Sequence, residues 1–409
     1  MFKNLKISFF LASKSIARSN KGTLVLIILI MTLTSINLVF TSSILLGIVD
    51  TMNRQAIDNL FGNIVIEPEK GENYIKQTES IQDLINAVPG VVGSSAHYIS
   101  GAILSYSKSK NGKDTKSGGW LVKSINPKEE MGVTKIHQAI IAGEYLDKID
   151  LNKIILGKEI SGEYGAHLKQ QSLGGVKVGD KIKVVFINGI QKDYEVKGVF
   201  DTKNVQADTI AYISEKEMES VLGLQNMSSE IIIKIDQTGK EDEYIKEFRR
   251  IGLLKEDIKP WTDYMGMTTS VAESFGMIKS MLMIIGLLVA GATIFIIIFV
   301  NVVNRRKQIG ILKAIGVEEK IITGSYILQA LFYAVLGIGL GLILIYFLII
   351  PYFIKNPLDF LIGLVSLSVT RNDLIVISIS LIIAAVIGGL VPSWRATKRT
   401  IIEAIWGNP

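Results

Sequence analysis

Residues 304–317 read NRRKQIGILKAIGV, a short basic stretch between two long apolar segments. It holds Arg305, Arg306, Lys307 and Lys313, and no acid precedes Glu318. A basic loop this short between two spans is expected to face the cytoplasm, because Lys and Arg are retained on that side during insertion. From Gln308 to Ile315 the spacing predicts a short helix, with apolar positions at Ile309, Leu312 and Ile315 and glycines at 310 and 316. Such a helix is shaped to seat in a partner's groove.

On either side of it the chain alternates between membrane-like and soluble composition. It has 409 residues, 48% of them hydrophobic, and a mean hydropathy of +0.37. That implies a few spans plus a sizeable soluble part. The net charge of +6 is unevenly placed. Residues 1–23, 301–324 and 393–409 are strongly basic, whereas in the remainder the acids outnumber the bases. The basicity is therefore topological, which argues against nucleic acid as a partner. Cysteine is absent, so a disulfide framework and a Cys-based zinc site are excluded.

The expected order is as follows. Residues 1–23 form an amphipathic helix lying on the cytoplasmic leaflet, with Leu5, Phe9, Ala12 and Ile16 on one face. Residues 24–48 are an uncharged run of 25, long enough at about 1.5 Å per residue to cross a bilayer. It is too long for the apolar core of a signal peptide, and no A-x-A site follows. Residues 50–272 form a soluble block large enough for its own core. Strands are expected at 63–67, 91–106, 119–125, 181–187, 193–200, 209–213 and 229–235, and helices at 80–88, 158–167, 214–222 and 240–251. Their irregular alternation favours α+β. Residues 108–119 read as a solvated loop tip. Further spans follow at 277–300, 325–350 and 374–391, the last ended by Pro392. Residues 301–324 form the basic loop, 351–371 an outer loop with a re-entrant piece near 360–367, and 393–409 a basic tail with Arg395, Lys398 and Arg399. The fold class is thus an α-helical membrane protein with four transmembrane helices, plus a large extracytoplasmic α+β domain inserted between helices 1 and 2. Both termini are expected inside.

The chemistry looks spare. No span carries Asp, Glu, Arg or His near its middle, which argues against an ion-coupled transporter or channel. Thr32, Thr34, Ser35, Asn37 and Thr41 in the first span can bond to other helices. Alternatively Ser35, Asn37 and Thr41 line a substrate cavity. Gly337 and Gly341 form one G-x-x-x-G in the third span, a pattern that permits close helix packing. His97, His137 and His167 lie far apart in sequence, and no metal site is expected. No phosphate-binding loop is found; residues 174–181 (GGVKVGDK) come nearest, but Asp180 intrudes. G-x-S-x-G and H-E-x-x-H are absent as well. No catalytic residue is therefore expected in this chain, and any work it does draws energy from a partner.

The topology and several stretches resemble the permease subunits of the MacB/FtsX-like ABC transporter superfamily, which includes the lipoprotein-releasing permeases of the LolC/LolE type. The stretches are residues 17–21 (ARSNK) before the first span, residues 304–316, and the ending from Pro392-Ser393-Trp394-Arg395-Ala396 to Glu403-Ala404-Ile405. In the soluble block, residues 155–160 (ILGKEI) and 178–182 (VGDKI) look like recurring family elements. Gln308 stands where the family usually has Glu, and the ending lacks the family's second proline and final Arg.

The resemblance implies a domain of the MacB-like periplasmic core type and a mechanotransmission cycle in the cell membrane. Two cytoplasmic ABC ATPases, carrying ATP and Mg, would pair with two permeases as a homodimer or heterodimer, among membrane lipid. This chain would bind no cofactor and no metal. Gln308, Ile309, Gly310, Ile311, Leu312, Lys313, Ala314, Ile315 and Gly316 would form the ATPase-coupling helix, with Ile309, Leu312 and Ile315 as its anchors. Arg305, Arg306 and Lys307 would be basic anchors beside it. The substrate would be amphipathic (a lipoprotein, lipid, peptide or drug), with a periplasmic adaptor as a further partner. The alternative is an FtsX-like transmitter that switches a cell-wall hydrolase.

Overall fold

The computed structural model describes residues 2–19, 21–108, 114–360 and 362–398. The chain divides into two compact units. One comprises Met1–Val49, Val271–Leu358 and Val365–Pro409, and the other Asp50–Ser270 and Asp359–Leu364. The architecture is the expected one: four long apolar helices, with a large α+β unit inserted between the first and second.

Four helices are long and apolar enough to cross a bilayer: Lys21–Phe61, Ser270–Asn304, Glu319–Lys355 and Arg371–Thr397. Away from their ends and from the prolines at 351 and 392, their helical backbone pairs N–H and C=O groups within the helix, which is what hydrocarbon requires. Leu29, Ile284, Phe347 and Ile383 point outward, as lipid-facing side chains do. The inward core includes Met31, Ile294, Ile298, Tyr333, Ile338 and Leu381. The G-x-x-x-G does pack closely: a Cβ on Gly337 would collide with Met31 of the first helix, and one on Gly341 would lie 2.9 Å from Ser35 Oγ. Only a bare Cα lets these two backbones approach so nearly.

Three expectations change here. The fourth helix does not stop at Pro392 but runs through it to Thr397. Proline removes one N–H, and Ser393 Oγ donates to the carbonyls of Gly389 at 2.7 Å and Leu390 at 2.9 Å, supporting the turn beside it. Thr32 and Thr34 do not reach across to other helices: Thr32 donates to Ile28 O and Thr34 to Ile30 O, within their own helix. Between the third and fourth helices lie a short helix, Ile350–Lys355, and a two-stranded hairpin, Leu358–Phe360 with Gly363–Val365; Leu361 falls outside the described residues, as do Asn20, Arg399 and the Glu403-Ala404-Ile405 ending.

The α+β unit has two sheets. The smaller is antiparallel, in the order Asp257–Pro260, Ile64–Glu67, Glu230–Ile235, Val91–His97. Helices Thr78–Asn86 and Glu241–Arg250 cover it, burying Ile81, Ile85 and Phe248 against Ile64, Ile66, Ile231 and Ile233. In the larger sheet the pairings run in a ring: Ile99–Ser107, Thr115–Ile125, Ile210–Ser214, Lys153–Gly157, Gln191–Phe200, Lys181–Phe186, and back to Ile99–Ser107. This is a closed six-stranded barrel, with Ile140–Gly143 added along Gln191–Phe200. Alternate residues (Leu104, Val122, Val184, Val196, Ile213) fill its interior.

The expected helix over 158–167 is only one turn, Lys158–Ser161. The 155–160 element is the corner where the strand Lys153–Gly157 ends and this single turn begins. Gly157 has no room for a Cβ beside the Asp208 carbonyl. Lys158 Nζ pairs with buried Asp201 at 3.2 Å, and Glu159 accepts the N–H groups of His167 and Leu168.

Candidate functional site

The basic stretch forms a helix, Arg306–Ala314. Its end follows from Gly316, whose φ of +88° suits a residue with no Cβ. There the Gly316 N–H donates to Lys313 O and the Val317 N–H to Leu312 O, both at 3.0 Å. This is a Schellman ending, and it satisfies two carbonyls that the helix leaves over.

The helix is fastened to three neighbours. Arg305 donates to the N-terminal helix Phe2–Ala17, through Nη1 to Ser15 Oγ (2.6 Å) and Nη2 to Ser15 O (3.1 Å). Ser15 Oγ in turn donates to Gln329 Oε1 on the third apolar helix. Lys313 Nζ donates to Glu319 Oε1 at 2.8 Å and to the Thr397 carbonyl at 2.7 Å, at the end of the fourth helix. Thr323 and Thr397 also share a hydrogen bond. Arg305, expected as a basic anchor, and Lys313, expected within the coupling helix, are thus internal fastenings.

The expected anchors divide. Ile309 is 3% exposed and Leu312 is half-buried; both pack into the core between the apolar helices. Ile315 is 72% exposed and Ile311 is 56% exposed. The outward face is therefore Lys307, Gln308, Ile311, Ala314 and Ile315, all exposed, with Ile311 three or four residues from each of the others. Sequence reasoning picked the wrong apolar stripe for Ile309 and Leu312, because Ile and Leu lie on both sides of this helix.

The candidate cavity residues of the first helix also separate. Ser35 is buried against Gly341. Asn37 and Thr41 line a small cleft of about 20 Å³ with Ser42, Lys279 and Ile377. Beside it Lys279 and Asp373 form an ion pair at 2.7 Å between the second and fourth helices.

Two features of the α+β unit have no signal in the sequence. One is a groove of about 910 Å³ on the outside of the barrel, lined by Phe61, Ile103, Trp120, Leu121 and Ile187 among others. Ile103, Leu121 and Ile187 are exposed there. The other is a buried charge network. His97 meets Glu130 at 2.7 Å and Glu230 at 3.0 Å, and Lys123 meets Glu230 at 2.7 Å. Ser95 and Thr134 donate to the Glu130 carboxylate. Burial disfavours charge on His97, but Glu130 and Glu230 outweigh it and push the imidazole up to about 9. Burial likewise opposes the Glu230 charge, yet Lys123 and His97 hold it down at about 2. The network joins the barrel, through Lys123, to the smaller sheet, through His97 and Glu230.

Residues 280–401 match the FtsX-like permease C-terminal family. That segment takes in the short helix, the third and fourth apolar helices and most of the second. A protein described as a hemin transport system permease, HrtB, from Staphylococcus haemolyticus is 26% identical over 267 residues, which cover 64% of this chain and 71% of that one. Among solved structures, the extracellular domain of the noncanonic ABC-type transporter YknZ from Gram-positive bacteria aligns over 48% of this chain and 97% of its own, at 16% identity and a TM-score of 0.35. The periplasmic region of MacB from Actinobacillus actinomycetemcomitans aligns over 53% of this chain and 96% of its own, at 12% identity and a TM-score of 0.36. With four helices of bilayer length and an FtsX-like permease segment, the chain is a membrane protein.

Proposed function

We propose that this chain is the permease subunit of an ABC-type transporter that exports or extracts an amphipathic substrate, using ATP hydrolysed by a separate cytoplasmic ATPase. The short helix Arg306–Ala314 docks on that ATPase, and two permeases work with two ATPases. In this reading both termini and the short helix lie in the cytoplasm, and the α+β unit lies outside. Closure of the ATPases moves the short helix. The fastenings from Arg305 and Lys313 carry the motion into the apolar helices, so work done by the ATPase reaches the outer unit without a pore.

One observation carries this proposal: a fastened helix whose opposite face, Lys307, Gln308, Ile311, Ala314 and Ile315, is left exposed. A rigid helix with an uncovered apolar and basic face suits a partner with an apolar groove rimmed by acids. The barrel groove supports an amphipathic substrate, because it pairs exposed Ile103, Leu121 and Ile187 with a polar rim at Gln206 and Thr209. Given the relative described as a hemin transport permease, hemin is the member of that class to test first.

The test is ATP turnover by the ATPase reconstituted with this permease in vesicles, with and without hemin. Ile311→Asp is expected to abolish permease-dependent stimulation while the protein still inserts. Undiminished stimulation would sink the docking assignment. Stimulation that never responds to any amphipathic compound, combined with capture of a cell-wall hydrolase, would favour the transmitter alternative.

A further inference from the structure

Beside the short helix lies a second concavity, about 210 Å³, between the second and fourth apolar helices. Its walls include Phe295, Phe299, Val302 and Pro392, and its rim carries Arg306 and Arg395. Phe295 and Phe299 stack with parallel rings, 6.2 Å between centroids. Both arginines are exposed, and among the described residues neither makes an ion pair or hydrogen bond. Two guanidiniums at a rim whose described lining holds no acid repel each other, so the arrangement favours an anion.

The surroundings say which anion. The slot sits at the ends of two bilayer-length helices, where Asn304 closes one and Thr397 the other. Phe299 and Val303 are about half exposed on the outside of the helix bundle, the side that faces lipid. Trp394 is exposed one residue before Arg395, and Lys398 lies 4.2 Å over its ring. Tryptophan with a cation is typical of the headgroup level. Guanidinium is a planar fork that matches phosphate oxygens in pairs. A soluble anion would use the arginines but leave the aromatic wall without an occupant; a zwitterionic lipid would use the wall but bring its own cation to the rim.

We propose that this slot binds an anionic phospholipid, with its phosphate held by Arg306 and Arg395 and an acyl chain lying against Phe295, Phe299 and Pro392. The proposal depends on the membrane-spanning reading of the four helices and not on any particular substrate or ATPase. Since Arg306 opens the docking helix, the bound lipid would brace that helix from its membrane side.

The experiment uses the full chain in mild detergent, titrated with phosphatidylglycerol or phosphatidylcholine and read by native mass spectrometry. Phosphatidylglycerol is expected to be retained roughly tenfold better, as two cations near a surface allow. Arg306→Gln with Arg395→Gln should erase that preference, and Arg306→Lys with Arg395→Lys should keep part of it. In Phe299→Trp, bromine-labelled phosphatidylglycerol should quench fluorescence beyond the parent protein's level. Equal retention of the two lipids by the parent, or an unchanged preference in the double glutamine variant, would overturn the proposal. So would displacement of phosphatidylglycerol by inorganic phosphate with no quenching at position 299, which would mark a simple anion site. Loss of ATPase binding in the double variant with lipid preference intact would assign the arginines to the partner instead.

Discussion

Arg305 grips Ser15 twice, at the hydroxyl (2.6 Å) and at the carbonyl (3.1 Å), and so ties the start of the short basic helix to the N-terminal helix 290 residues earlier. Through Ser15 the tie continues to Gln329 on the third apolar helix. A guanidinium can make both contacts at once, whereas an ammonium is a single point charge. Arg305→Ala is expected to leave ATPase binding within about threefold, since the outward face is intact, but to lower substrate-stimulated turnover roughly tenfold; loss of one or two charge-assisted hydrogen bonds of about 1.5–3 kcal/mol permits that much. Arg305→Lys should recover only part. Wild-type stimulation in Arg305→Ala would show that the fastening carries no motion.

Ile309 and Ile311 are two residues apart and have opposite surroundings. Ile309→Ala removes buried methylenes from the helix core, and a loss of roughly 2–4 kcal/mol is expected. Ile311→Ala should change thermal stability by no more than about 0.5 kcal/mol yet weaken ATPase binding. Thermal unfolding in detergent, together with a pull-down of the ATPase, separates the two effects. A stability loss at Ile311 equal to that at Ile309 would contradict the assignment of faces.

His97 makes stability depend on pH. Its folded value of about 9 lies above the ordinary 6.5, so its contribution is complete below pH 6.5 and disappears as pH rises through 9. Glu230 behaves oppositely. Its folded value of about 2 lies below the ordinary 4.5, so its contribution is complete above pH 4.5 and lost as pH falls through 2. The α+β unit should therefore unfold at the highest temperature between about pH 4.5 and 6.5. His97→Gln, which leaves Glu130 facing Glu230 without the cation between them, is expected to cost about 3–5 kcal/mol and to flatten the alkaline decline. A decline of the same size in that variant would point to other groups.

Gly337 has no room for a side chain next to Met31. Gly337→Leu should separate the first and third helices and reduce the yield of folded, monodisperse protein. Gly339, two residues further on, where a Cβ would meet nothing within 4 Å, should accept leucine. Equal yields for the two variants would show that the close approach is dispensable.

The membrane half was easily read from the sequence because apolar length is a direct signal. The four spans and the short helix follow from composition and charge. The orientation of that helix was not legible: Ile309, Leu312, Ile311 and Ile315 are all apolar, and only the position of the neighbouring helices decides which pair is covered. Pro392 misled for a related reason, since a proline that would end a soluble helix is accommodated among packed ones. In the α+β unit most strands were visible as β-branched runs, but not the ring they form. Lys153–Gly157 and Ile140–Gly143 are short, and Asp257–Pro260 ends in a proline, so none stands out by alternation. The charge network had no motif at all. His97 is 33 residues from Glu130 and 133 from Glu230, so only the fold brings them together.

The closed barrel has a consequence for how the chain is made. Thr115–Ile125 pairs on one side with Ile99–Ser107, its near neighbour, and on the other in parallel with Ile210–Ser214. The ring therefore stays open until the later strand has been synthesised, on the order of ten seconds at ordinary elongation rates. Throughout that interval the first apolar helix is already complete, and the nascent domain exposes unpaired strand edges next to it. Such non-local pairing is slow by nature, so a chaperone that covers the unfinished α+β unit would affect the yield of this protein more than that of its helices alone.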